Sequence, residues 1–143
     1  MKDKILVVED NPQNMLVIEM TLRTQKYTLL KASDGEEALD IAMAERPDLI
    51  IMDIQLPGMN GLEVTMRLRE SPVFSHTPII GLTAYAMKGD KERIIESGCD
   101  AYLSKPFSPR ELRRMIAEML SQRQKDNLSL AGGNRDQEGS NNR

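Results

Sequence analysis

The side chains able to do chemistry in this chain stand at the ends of apolar runs. Glu9 and Asp10 close Ile5-Leu6-Val7-Val8, Asp53 closes Leu49-Ile50-Ile51-Met52, Thr83 closes Ile79-Ile80-Gly81-Leu82, and Lys105 follows Ala101-Tyr102-Leu103-Ser104. In an open parallel α/β sheet the carboxyl ends of the strands share one edge, and ligands bind there. Residues distant in sequence would then meet in one crevice as three carboxylates, a hydroxyl and an ammonium. A hydrophobic core has no use for that set.

Three clustered carboxylates repel one another and raise each other's pKa unless a cation joins them. A hard divalent ion with oxygen ligands answers this, and Mg2+ takes one or two carboxylates while keeping waters that a phosphate can replace. Glu9, Asp10 and Asp53 therefore read as a Mg2+ site completed by a phosphate. The competing reading of Glu9-Asp10, solvated loop acids with Asp10 helping to cap a helix, loses force once Asp53 follows a buried strand. A carboxylate can also accept a phosphoryl group, and Asp53 precedes a Pro-Gly loop that leaves it accessible. Phosphoryl transfer mostly needs positioning and neutralised oxygen charge. Lys105 would supply part of that charge, and Thr83 a hydroxyl to a phosphate oxygen. The backbone N–H groups after Asp53 and Thr83, the latter on Ala84, could do the same. Pro106 makes a cis bond accessible at Lys105-Pro106.

Those residues need strands to carry them, and the chain alternates strand-like and helix-like segments from end to end. Strands are expected at Lys4 to Val8, Tyr27 to Lys31, Asp48 to Met52, Pro78 to Leu82 and Ala101 to Ser104. Asn11-Pro12 offers an N-cap with proline at the first helical position, and Met15, Ile18, Met20 and Leu22 would face inward. Asp34 with Glu37 forms a capping signal for a second helix, whose Ala38, Leu39, Ile41 and Ala42 face the sheet before Pro47 stops it. Leu62 to Glu70 and Lys88 to Glu96, the latter stopped by Gly98, are the next helices. Ser108-Pro109-Arg110-Glu111 opens a last one to about Leu120. This fivefold βα alternation implies a parallel sheet covered by helices on both faces. Periodicity alone leaves the strand order open. The pattern ends near Gln122, and the polar stretch 123–143 has the composition of a disordered tail, leaving 1–122 as one domain.

Composition narrows the function classes. A length of 143 residues suffices for one domain with a real core. The net charge of -3 gives no basic footprint for nucleic acid. One cysteine, Cys99, excludes an internal disulfide framework and fits a reducing compartment. No apolar run approaches the ~20 residues that span a bilayer, and the first run is too short for a signal peptide. A cytoplasmic location is expected. Neither G-x-x-x-x-G-K-[ST] nor G-x-G-x-x-G occurs, which disfavours a nucleotide-binding domain.

At these residues the chain resembles the receiver domain of bacterial response regulators, the CheY-like superfamily. The matching stretches are Ile5 to Asn11, Asp48-Leu49-Ile50-Ile51-Met52-Asp53-Ile54-Gln55-Leu56-Pro57-Gly58-Met59-Asn60-Gly61, Pro78 to Ala84, and Gly98 to Pro106. Four motifs in order make the resemblance specific over Lys4 to about Leu120. It implies a (βα)5 doubly wound, three-layer α/β/α fold with flavodoxin-like strand order 2-1-3-4-5. It implies Asp53 as phosphoacceptor, charged by a phosphohistidine on a sensor histidine kinase or histidine phosphotransfer protein. Asp10 would hold Mg2+ directly and Glu9 through water, where many receivers carry Asp, with the Gln55 backbone carbonyl as a further ligand. Thr83 would be the switch hydroxyl, Lys105 the phosphate's cation and Tyr102 the aromatic that turns inward. Gln55 and Tyr85 occupy positions that tune phosphate lifetime in the family.

The resemblance also implies how the signal leaves. The loop Ala84 to Gly89 would switch, and the face of the fourth helix, fifth strand and fifth helix would meet a protein partner through Lys88, Lys91, Arg93, Arg110 and Arg113 beside Ile94, Ile95 and Met115. A monomer or a phosphorylation-dependent dimer, with no DNA-binding output domain, is expected. The run Ala84-Tyr85-Ala86-Met87-Lys88-Gly89-Asp90 is similar to that of single-domain receivers of the DivK type; a receiver excised from a hybrid kinase is the competing reading. The chain is expected not to be an enzyme. An aspartate-nucleophile phosphatase needs a second aspartate where Gln55 stands, and a phosphorylation-independent receiver usually lacks an acid, the Thr or the Lys.

Overall fold

The computed structural model describes residues 2–23, 27–84 and 89–140, with side chains described as far as residue 125. The five apolar runs become parallel strands β1 (Asp3–Val8), β2 (Tyr27–Ala32), β3 (Leu49–Asp53), β4 (Ile79–Thr83) and β5 (Ala101–Ser104), paired in the order β2-β1-β3-β4-β5. Between and after them run α1 (Pro12–Leu22), α2 (Gly35–Glu45), α3 (Gly61–Arg69), α4 (Asp90–Ser97) and α5 (Pro109–Ser140). The expected fold class and the strand order implied by the resemblance both hold.

Helix starts follow cap chemistry. Asn11 Oδ1 accepts from Asn14 N at 3.0 Å, Asp34 Oδ1 from Glu37 N at 2.8 Å, Asn60 Oδ1 from Glu63 N at 2.9 Å and Ser108 Oγ from Glu111 N at 3.3 Å. Each satisfies a backbone donor that the first helical turn leaves unpaired. Glu37 also reaches back, accepting from Ser33 N at 2.7 Å.

The continuous apolar runs conceal a two-residue period. Leu6, Val8, Ile50 and Met52 pack with Ala38 and Ala42 of α2, Val64 and Leu68 of α3 and Ile94 of α4. Ile5, Val7, Leu49 and Ile51 face the other way, onto Ile18 and Leu22 of α1 and Leu112, Ile116 and Leu120 of α5. Every residue of β3 is buried, as a central strand covered on both faces must be.

Three expectations need correction. Met20 is 58% exposed: at 100° per residue it lies well off the stripe through Met15, Ile18 and Leu22. Ile94 of α4 is 2% exposed and belongs to the core instead of the outer face. The last helix does not end near Leu120 but continues to Ser140. No proline interrupts that stretch, and Gln122, Arg123, Gln124 and Lys125, all good helix formers, carry the helix onward. The composition matched a solvated segment, but composition does not separate a polar helix from a coil. Tyr85 and Lys88 lie outside the described residues, as do residues 141–143.

The turn after β3 is built around a close approach. Gly61 N donates to Ile54 O at 3.0 Å, and a Cβ on Gly61 would clash with the Asp53 carbonyl oxygen while lying 2.9 Å from Ile54 Cα. Both neighbours are backbone, so the clash is relieved only by moving the end of β3 or the start of α3. Overpacking of this kind costs about 1–3 kcal/mol. Gly61→Ala should lower the urea midpoint by that order and perturb the Asp53 amide resonance. A midpoint and spectrum matching wild type would show that the turn has slack.

Candidate functional site

Strand register gathers the five side chains. In the pairing of β1 with β3, Val8 stands opposite Met52, so Glu9 and Asp53 follow side by side. Asp53 pairs with Leu82, and Thr83 with Ser104, immediately before Lys105. Three backbone bonds extend the ladder one residue beyond the strands: Glu9 N to Ala32 O at 3.0 Å, Ile54 N to Leu82 O at 2.9 Å and Lys105 N to Thr83 O at 2.8 Å. The crevice floor is thus sheet backbone, and the Lys105-Pro106 peptide at its rim is cis.

Among the described residues, Glu9, Asp10 and Asp53 place carboxylate oxygens within 4.8 Å of one another. Glu9 and Asp53 are buried, while Asp10 is open to solvent. Lys105 Nζ lies 3.2 Å from Glu9 Oε1 and 3.2 Å from Asp53 Oδ2, a forked ion pair at a mostly buried ammonium. The remaining oxygens are partly held by backbone: Asn11 N donates to Glu9 Oε2 at 3.1 Å, and Gln55 N to Asp53 Oδ1 at 3.0 Å.

One lysine does not neutralise this pocket. Burial first, then the adjacent Glu9 carboxyl, pushes the Asp53 pKa up to about 7, against the opposing pull of Lys105 and the Gln55 N–H. Glu9 Oε1 is buried and, although beside Lys105, forms no hydrogen bond. A buried carboxylate oxygen without a hydrogen bond, in an all-oxygen cluster with one arm in water, fits a hard cation such as Mg2+.

Thr83 is buried beside the acids, and the Gln55 side chain spans the gap above it. Gln55 Nε2 donates to Thr83 Oγ1 at 3.2 Å, and Ala84 N donates to Gln55 Oε1 at 3.2 Å. Tyr102 is half-buried against the core beneath α4. Glu9, Asp10, Asp53, Thr83, Ala84 and Lys105 therefore converge as the sequence reading anticipated. What it missed is the Gln55 side chain, noted there only for its carbonyl and its position. An amide two residues beyond a strand-ending acid was a visible signal; its direction is set by the loop, which spacing does not give.

The raised Asp53 pKa has a defined sign in stability. In metal-free protein the folded state keeps this proton between about pH 4 and about pH 7, where the unfolded chain, at 3.8, has released it. Asp53 thus contributes stability that is full below the unfolded pKa and lost as pH rises through the folded one. Urea midpoints measured with chelator should fall across that window more steeply for wild type than for Asp53→Asn. Identical slopes would mean that Asp53 is ionised throughout.

Comparison with known proteins follows from this geometry. Residues 5–117 match the family described as response regulator receiver domain. The polar-differentiation response regulator DivK of Brucella anthropi is 48% identical over 108 residues, covering 76% of this chain and 88% of the relative. Among solved structures, the receiver domain of sensor histidine kinase PA1611 from Pseudomonas aeruginosa, with magnesium coordinated in its active-site cleft, is 39% identical. It superposes with a TM-score of 0.79 over 85% of this chain and 99% of that one. The chemotaxis response regulator CheY4 of Vibrio cholerae is 31% identical, with a TM-score of 0.79 over 83% and 99%. A chain matched over most of its length, with the acids, hydroxyl and lysine gathered at one sheet edge, belongs to the response regulator receiver family of bacterial two-component systems.

Proposed function

We propose that this receiver takes a phosphoryl group on Asp53 from a phosphohistidine of a sensor histidine kinase or histidine phosphotransfer protein, and signals by protein contact. The observation that carries the reading is the forked pair of Lys105 with Glu9 and Asp53 in a crevice of three acids. In the transfer an Asp53 carboxylate oxygen attacks phosphorus, the P–O bond forms as the P–N bond to histidine breaks, and the imidazole leaves with its electron pair. Asp10, Asp53 and the Gln55 backbone carbonyl would hold Mg2+, with Glu9 through water. That ion, when bound, supplies positive charge to the oxygens of the transferring group.

The remaining work belongs to the chain. Lys105 exchanges its contact with the Asp53 carboxylate for one with a phosphoryl oxygen. Thr83 turns its hydroxyl toward the same group, and the Ala84 N–H donates alongside. Tyr102 follows Thr83 inward, which couples the crevice to the surface of α4, β5 and α5. On that surface Lys91, Arg93 and Arg110 are exposed, Arg113 is half-buried and Ile95 is 43% exposed, while Met115 packs against the core. We assign the downstream contact to this mixed surface. The resulting unit is a cytoplasmic receiver of residues 1–122, a monomer or a phosphorylation-dependent dimer. Among the described residues no helix is long and apolar enough to cross a membrane. We set the receiver's boundary at about residue 122, because Leu120 is the last core residue among the described side chains, and the Arg123 pair with Asp48 at 2.7 Å closes that end of the domain. Phosphoester turnover is not expected, because Gln55 has no acidic proton to give a leaving group.

Intact mass after incubation with Mg2+ and acetyl phosphate tests the reading. Wild type should gain one phosphoryl group; Asp53→Asn, or wild type with chelator, should gain none, and Lys105→Ala should gain far less. A folded, Mg2+-binding protein that also fails with a phosphohistidine donor would point instead to a binding module that works unphosphorylated.

A further inference from the structure

We propose that the Gln55 side chain is a neutral latch that occupies the phosphoryl-binding groups of the unmodified protein and must leave before Thr83 and Ala84 can hold a phosphate. The inference rests on the proposed phosphorylation of Asp53 and concerns the conformational equilibrium of that same site.

The geometry fixes the chemistry of the latch. A backbone N–H can only donate, so the contact of Ala84 N at 3.2 Å requires the amide oxygen of Gln55 on that side. The NH2 then faces Thr83, which makes the Thr83 hydroxyl oxygen an acceptor in this contact. A phosphate has only acceptor oxygens toward this rim at neutral pH, so Thr83, which can donate and accept at once, must aim its hydroxyl hydrogen at it, and in turning toward Asp53 it leaves the Gln55 amide. Ala84 must likewise change partner from Gln55 Oε1 to a phosphoryl oxygen. The same residue also donates its backbone N–H to Asp53 Oδ1 at 3.0 Å. Gln55 therefore touches the acceptor carboxylate through its backbone and the phosphate-binding hydroxyl and amide through its side chain. A single amide satisfies both a donor and an acceptor without adding charge to a crevice already crowded with acids.

Both latch contacts are lost when the phosphoryl group arrives, so the latch opposes the phosphate-bound arrangement by its own preference for the unmodified one. Two neutral hydrogen bonds, each modest in net terms and partly solvated, correspond to about three- to tenfold in the equilibrium. Removing the side chain should shift the balance toward phosphate binding by that factor. The backbone N–H and carbonyl of residue 55 stay in place.

The test uses the full chain with Mg2+ and beryllofluoride, a phosphoryl mimic, titrated by amide NMR. Gln55→Ala should tighten beryllofluoride binding about three- to tenfold, and the gain should shrink in a Thr83→Val background, where one of the two contacts is already absent. Without the mimic, the Ala84 amide of Gln55→Ala should shift and exchange faster with solvent than in wild type. Unchanged or weaker mimic affinity, an equal gain in the Thr83→Val background, or an Ala84 amide indistinguishable from wild type would overturn the latch. Wild type failing to bind the mimic at all would instead overturn the phosphoacceptor reading, and the Ala84 amide would still decide whether the latch forms.

Discussion

Two buried carboxylates on adjacent strands, Glu9 and Asp53, facing one ammonium, are the constraint to which the rest of the molecule answers. Burying like charges side by side is unfavourable, and side chains free to move would relax apart. Here they cannot, because the sheet ladder continues past both: Glu9 is fixed through its N–H to Ala32, and Ile54 through its own to Leu82. The close approach of Gly61 to the Asp53–Ile54 backbone removes the remaining slack. The cost of the cluster is carried by a core in which β3 is wholly buried and covered by helices on both faces.

The charge balance explains why such a cluster is worth holding. Three acids against one lysine leave a formal deficit of two positive charges, the charge of one divalent cation. Asp53 meets part of that deficit in metal-free protein by keeping its proton, because burial first and then the Glu9 carboxyl raise its pKa to about 7. A carboxylate so held is a poor nucleophile until a cation displaces the proton. In the proposed phosphotransfer, cation binding would thus be coupled to nucleophile activation through a single titrating group.

Much of this was legible in sequence, and for a physical reason. Parallel βα units bring all strand carboxyl ends to one edge, so acids, a hydroxyl and a lysine that end apolar runs must meet whatever their separation along the chain. Helix caps at Asn11, Asp34 and Ser108 were equally local. The strand order came through the resemblance, since alternation fixes the layers and leaves the order open. Met20 was misplaced although the helical period already sets it off the apolar stripe, whereas Ile94 was misplaced because the neighbouring layers decide which apolar residue of a short helix faces inward. The extension of α5 to Ser140 was lost because a polar helix and a polar coil share a composition. The Gln55 bridge was lost for a third reason: the direction of a loop side chain depends on φ and ψ that no periodicity encodes.

That bridge also clarifies why the switch can be built from so little. The crevice is held by backbone ladders, and in the proposed switch the groups that would change partners are few: the Thr83 hydroxyl, the Ala84 N–H and the Lys105 ammonium. A carboxylate at position 55 could accept from both Thr83 and Ala84, but it would add a fourth acid and would imitate the phosphate it should await. A lysine there would compete with Lys105 for the acids and could not accept from Ala84. An alkyl side chain would offer Thr83 and Ala84 nothing in place of the phosphate. The amide supplies a donor and an acceptor at zero charge, so it can hold the rim without disturbing the electrostatics that would draw a cation to the acids below. On the proposed function, cation binding and rim opening would then be tuned separately, one by the acids and the other by a single side chain.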